Sequence, residues 1–125
     1  MICILLVEDD PAIRSVLREF LSEEGFEVRG VADGRAGINA ARTIQPDLIV
    51  MDLMLPVLDG GTATRQLKAD PVTRDIPIIA VSAACEERPR TRELPADDFV
   101  LKPFELDALL ATISDNLGHS SHMSV

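Results

Sequence analysis

Tryptophan and tyrosine are absent from these 125 residues, and four phenylalanines bring the aromatic share to only 3%. The core must therefore be aliphatic, drawn from Leu, Ile, Val and Ala within a hydrophobic share of 46%. That share excludes a disordered body, and the length suits one core and not two. Basic residues are also scarce. Twelve Lys and Arg face 21 Asp and Glu, and the net charge of -9 argues against direct nucleic-acid binding, which selects for Lys and Arg clusters. A cation or a protein partner suits such a chain better. There are two cysteines, Cys3 and Cys85, too far apart in this pattern for a metal or disulfide spacing; they read as reduced, buried thiols. No long hydrophobic run is present. Ile2 to Val7 lacks a basic leader and stops at acids, too short for a signal peptide or membrane span. The expectation is a cytoplasmic protein with no membrane association, and there are no internal repeats.

Short apolar runs alternate with helical stripes. Ile2 to Val7 is apolar without alternation, as in a strand buried on both faces of a parallel sheet. Glu8-Asp9-Asp10 follows, and Asp10-Pro11 has the form of a helix start, with Asp as cap and Pro in the first turn. Ile13, Val16, Leu17, Phe20 and Leu21 then form one stripe that ends at Gly25. Phe26 to Ala32 alternates like an edge strand. Asp33-Gly34 makes a turn, and Ala36, Ala40, Ala41 and Ile44 stripe a second helix that Pro46 ends. Leu48 to Asp52 is a third strand, closed by the turn signals Pro56 and Asp59-Gly60. Ala63 and Leu67 mark a thin third helix, Ile78 to Val81 a fourth strand reaching Ser82, and Val100-Leu101 the end of a fifth at Lys102-Pro103. Leu106, Leu109, Leu110, Ile113 and Leu117 stripe the last helix. The alternation predicts an α/β domain over residues 1–117, a doubly wound parallel sheet with right-handed crossovers. Residues 118–125, with His119 and His122, carry no periodicity and read as a flexible tail.

Every reactive side chain in this pattern follows a strand, and in an open α/β sheet the carboxyl edge is where ligands bind. Glu8 and Asp9 end the first strand, Asp52 the third, Ser82 the fourth and Lys102 the fifth. Three converging carboxylates repel one another unless a cation sits among them. Oxygen-only ligands favour Mg²⁺, which keeps waters and binds beside a phosphate. Lys102 and Ser82 suit phosphoryl oxygens, which leaves Asp52 as the nucleophile and an acyl phosphate as product. Each residue alone has an ordinary reading: acids decorate helix N-termini, serines occupy turns and lysines lie on surfaces. Agreement at four strand ends is what distinguishes the set.

The segments Ile4-Leu-Leu-Val-Glu8-Asp9-Asp10, Asp47-Leu-Ile-Val-Met-Asp52-Leu-Met-Leu-Pro56, Asp59-Gly60, Pro77-Ile-Ile-Ala-Val-Ser82-Ala83 and Ala96-Asp-Asp-Phe99-Val-Leu-Lys102-Pro103-Phe104 together resemble the receiver domain of two-component response regulators, from Ile2 to about Leu117. The resemblance implies a flavodoxin-like (βα)5 fold with strand order 2-1-3-4-5, for which general accounts of the fold already cite a chemotaxis receiver. It implies that Asp52 takes a phosphoryl group from a histidine kinase or phosphotransfer protein with Mg²⁺, in a reaction the domain itself catalyses, and then acts on a downstream protein. By the same resemblance Asp9 ligates the metal directly, Glu8 through water and Met54 through its carbonyl. The N–H groups of Leu53 and Ala83 face the phosphoryl oxygens, Ser82 and Phe99 form the switch, and the bond before Pro103 is cis.

Between Ser82 and Lys102 the chain departs from the family. The segment is slightly short, Pro89 interrupts a helical stretch, Pro95 replaces a usual glycine, and Leu94 is the lone large apolar anchor. A short or irregular fourth helix is expected there, with an atypical output face and partner choice. Residues after Leu117 are too few for an output domain, so a stand-alone module and a receiver excised from a larger protein fit equally. Two other functions compete. A pseudo-receiver would serve only as a binding surface, but the acids, hydroxyl and lysine are all retained. A Mg²⁺-dependent aspartyl-phosphate phosphatase of the haloacid dehalogenase type requires a second acid two residues after the nucleophile, where this chain has Met54.

Overall fold

A computed structural model describes residues 1–83 and 94–123. Its elements are β1 (Cys3–Val7), α1 (Pro11–Glu23), β2 (Glu27–Val31), α2 (Gly34–Ile44), β3 (Leu48–Asp52), α3 (Gly60–Ala69), β4 (Ile78–Ala83), β5 (Asp98–Lys102) and α4 (Leu106–Met123). The strands form one parallel sheet in the order β2-β1-β3-β4-β5. This is the doubly wound, flavodoxin-like topology expected from the sequence. The irregular helix expected around Pro89 falls in residues 84–93, outside the described residues.

The unbroken apolar runs are explained by the two faces of the sheet. Ile4, Leu6, Leu48, Val50, Ile79 and Val81 pack beneath α1 and α4, against Leu17, Leu21, Leu109 and Ile113. Their strand neighbours Leu5, Val7, Ile49, Met51 and Ile78 point the other way, against Ala41 of α2 and Ala63 and Leu67 of α3. Successive strand residues alternate faces, and both faces are covered, so no position on β1 or β3 needs to be polar.

Local signals set the element ends. The Asp10 side chain caps α1 by accepting from the Ala12 and Ile13 N–H groups at 2.9 and 3.3 Å, and Gly25 leaves the helix at φ +96°. Asp33, read from sequence as a turn residue, caps α2 by accepting from Ala36 N–H at 2.8 Å. That helix ends at Gln45, which adopts φ 51° ahead of Pro46. Two expectations change. Ile13 and Val16, placed by periodicity on the apolar stripe of α1, stay 38% and 54% exposed and flank an open groove with Leu17, Pro103, Phe104 and Leu106. α4 does not end with its stripe at Leu117, because its backbone remains helical to Met123.

Candidate metal and phosphoryl site

β1 and β3 are adjacent, with Val7 paired to Met51, so the residues that follow them emerge side by side at the carboxyl edge. Glu8 and Asp52 are each only 4% exposed, whereas Asp9 faces solvent. One oxygen from each of the three carboxylates lies within 4.8 Å of the others. β5, two strands over from β3, brings Lys102 to the same point: its Nζ donates to Asp52 Oδ2 at 3.1 Å and stands 3.8 Å from Glu8 Oε1. Ser82 comes from β4 between them. It is 1% exposed, and its Oγ has no hydrogen-bond partner among the described residues.

The electrostatics are those of too many acids around one base. Burial pushes the Glu8 carboxyl up to about 7; the Asp10 N–H on its Oε2 at 3.1 Å pulls down, the Asp52 charge pushes up again, and Lys102 pulls down. Burial pulls the Lys102 ammonium down, but its hydrogen bond to Asp52 and the charges of Asp52, Glu8 and Asp9 outweigh that and hold it above its usual value. One lysine cannot balance three carboxylates in a partly dry pocket. The donor set fits a hard divalent cation: carboxylate oxygens only, one of them solvent-facing.

Of the other residues expected here, Leu53 is placed differently from the sequence expectation. The Leu53 N–H does not face the pocket, because it donates to the Val81 carbonyl at 3.0 Å and so extends the β3–β4 pairing. The N–H that meets the Asp52 carboxylate is that of Met54, at 3.0 Å from Oδ1. A strand's N–H groups alternate between its two neighbours, and strict alternation from β3 could not tell which donor the following turn would free. Met54 itself is exposed. Ala83 closes β4 opposite Lys102. Phe99 is half-buried against the small cluster of Leu53, Ala80 and Leu94, and the Lys102–Pro103 peptide bond is cis. Sequence reasoning missed Arg14, whose Nη1 donates to the Glu8 carbonyl at 2.8 Å. Its place one helical turn after Asp10 is the signal that could have found it.

A flavodoxin-like sheet with acids, a lysine and a buried hydroxyl meeting at its carboxyl edge defines the class of phosphoacceptor signalling domains. The family model for the response regulator receiver domain matches residues 4–114, and the chain belongs to that family. It is 38% identical over 112 residues to the DNA-binding dual master transcriptional regulator RpaA of Synechocystis, covering 88% of this chain and 46% of RpaA. Among solved structures, the receiver domain of a signal transduction histidine kinase from Syntrophus aciditrophicus superposes with a TM-score of 0.90 at 33% identity, covering 95% of this chain and 92% of that one. The receiver domain of the sensor histidine kinase PA1611 from Pseudomonas aeruginosa, which holds a magnesium ion in its active-site cleft, gives a TM-score of 0.87 at 36% identity, covering 93% and 97%.

The chain spans about half the length of the curated relatives it matches. Phosphorylation-based signalling in two-component systems is the family's general function, its members work with histidine kinases, and they bind Mg²⁺ at an acidic pocket like this one. DNA binding is named for RpaA. No helix among the described residues is long and apolar enough to cross a membrane.

Proposed function

We propose that Asp52 is the phosphoacceptor of this chain and takes its phosphoryl group from the phosphohistidine of a kinase or phosphotransfer protein. The observation that carries the reading is the Lys102 ammonium 3.1 Å from Asp52 Oδ2 and 3.8 Å from Glu8 Oε1, within the acid cluster at the sheet edge where β4 ends in Ser82, whose hydroxyl has no partner among the described residues. A carboxylate oxygen of Asp52 forms the new O–P bond as the donor's P–N bond breaks, and the departing imidazole takes up a proton. Lys102 follows the charge from the carboxylate to the phosphoryl oxygens. The Ser82 hydroxyl and the Ala83 N–H donate to those oxygens, and the Met54 N–H keeps the carboxylate oriented.

Glu8, Asp9, Asp52 and the Met54 carbonyl would hold Mg²⁺, which when bound supplies positive charge to offset that of the transferring group. Movement of Ser82 toward the phosphoryl group frees space that the half-buried Phe99 ring fills, and this would change the surface read by a downstream protein. The chain catalyses its own phosphorylation and dephosphorylation through these groups, acts in the cytoplasm, and itself contacts neither nucleic acid nor membrane. Residues 1–117 carry this machinery, with residues 118–125 outside it.

The test is intact mass after incubation with Mg²⁺ and a small acyl phosphate. A gain of one phosphoryl group is expected for the parent, with none for Asp52→Asn or without metal. A folded parent that neither gains the group nor binds Mg²⁺ would overturn the reading in favour of a binding module that is never phosphorylated.

A further inference from the structure

Arg14 makes contacts that neither the transfer chemistry nor the helix it belongs to requires. Its Nη1 donates to the Glu8 carbonyl at 2.8 Å and stands 3.5 Å from the Asp9 carbonyl. These are the carbonyls of the two acids that follow β1. The reach follows from helix geometry, since side chains on a helix tilt toward its N-terminus and Arg14 lies one turn beyond the cap Asp10. Its aliphatic stem crosses β2 at Gly30. A Cβ built on Gly30 would stand 3.1 Å from Arg14 Cδ and 3.2 Å from Cγ, closer than ordinary packing. The absent side chain on β2 therefore makes the channel that the arginine occupies.

The Glu8 backbone is thus held on two sides: its N–H donates to the Val31 carbonyl of the β1–β2 edge at 3.0 Å, and its carbonyl accepts from Arg14. The Glu8 carboxylate is held in turn by the Asp10 N–H at 3.1 Å. We infer that Arg14 is a positioning residue for the cation site, fixing the turn that carries Glu8 and Asp9 through their main-chain carbonyls, with Gly30 as its required partner. The inference rests on the metal-site reading above. Arginine suits the task because its planar, permanently charged guanidinium presents Nη1 to both carbonyls from one fixed orientation, whereas lysine's ammonium is a mobile point charge. Groups that orient metal ligands from outside typically change affinity by about 10–100-fold when removed.

The experiment is a Mg²⁺ titration of ¹⁵N-labelled protein followed by backbone amide shifts, on the parent, Arg14→Met, Arg14→Lys, Gly30→Ala and the Gly30→Ala/Arg14→Met double variant. Spectra in EDTA and thermal midpoints accompany each. Arg14→Met is expected to weaken Mg²⁺ binding about tenfold, with Arg14→Lys between it and the parent, and the Glu8, Asp9 and Asp10 amides shifting even in EDTA. Gly30→Ala is expected to weaken binding in the parent background and to add nothing once Arg14 is Met. A merely structural role would lower the thermal midpoint and leave the dissociation constant unchanged, and that result overturns the inference. Additive effects of the two changes overturn it as well. A parent that fails to bind Mg²⁺ overturns the metal-site reading and this inference with it, whereas equal binding by parent and Arg14→Met overturns the inference alone.

Discussion

Glu8→Gln should stabilise the metal-free protein, and only at pH above the range where Glu8 is protonated. Glu8 is 4% exposed, with the Asp52 carboxylate beside it and Lys102 already engaged 3.1 Å away by Asp52. Its carboxyl is held up at about 7 against an ordinary 4.5. A folded-state value above the unfolded one means the native state binds the proton more tightly. The stabilising contribution is therefore complete below pH 4.5 and lost as pH rises through about 7. At about 1.4 kcal/mol per unit the full effect is about 3.5 kcal/mol, and screening through the solvent-facing side of the cluster reduces it to roughly 2 kcal/mol. Glutamine keeps an oxygen for the Asp10 N–H and has no proton to lose. By calorimetry in EDTA, the variant should melt roughly 6–10 °C above the parent at pH 8, with a much smaller gap at pH 5. Saturating Mg²⁺ at pH 8 should raise the parent and close most of the gap. An equal gap at both pH values, or a variant that melts lower at pH 8, would refute the argument that an uncompensated buried carboxylate is stored here.

Val57 adopts φ 68° while 80% exposed, a left-handed conformation unfavourable for a β-branched residue; Val57→Gly should raise stability in urea by about 0.5–1 kcal/mol after the entropy of the unfolded glycine is subtracted, and no gain would mean the turn is unstrained. A Cβ on Gly60 would overlap the Asp52 carbonyl oxygen and press on the Leu53 backbone, atoms that cannot yield without moving β3; Gly60→Ala should cost about 3 kcal/mol. Gly25, at φ +96° with open space around its Cβ direction, is the control, and Gly25→Ala should cost only about 1 kcal/mol; equal losses in urea titrations would show that close approach is not what Gly60 provides.

The strands, the four described helices and the members of the acid cluster were legible in the sequence because each is a local signal. Leu48 to Met51 could be apolar without alternation only if both sides were covered, and Asp10-Pro11 and Gly25 mark the ends of α1 by chemistry that acts within one turn. The continuation of α4 to Met123 was not legible, since helix propagation past Leu117 needs no apolar stripe. Nor was the exposure of Ile13 and Val16, because periodicity tells which residues share a face and not whether anything lies against it.

What the sequence by itself determined, then, is the order of elements and the chemistry that follows each strand: Glu8 and Asp9, Asp52, Ser82, Lys102. What only the tertiary structure decided is which of their groups are free to act. Hydrogen bonds between residues remote along the chain are set by strand order and register, so folding alone commits the Leu53 N–H to Val81, leaving the Asp52 carboxylate to the Met54 N–H two residues on. The same assembly leaves Ser82 Oγ without a described partner, sets Lys102 on Asp52, and threads Arg14 over Gly30 to the Glu8 carbonyl. Burial does the rest: a carboxylate carries its ordinary affinity for a proton in the sequence, and only the packed sheet edge, by removing water and crowding like charges, raises that of Glu8.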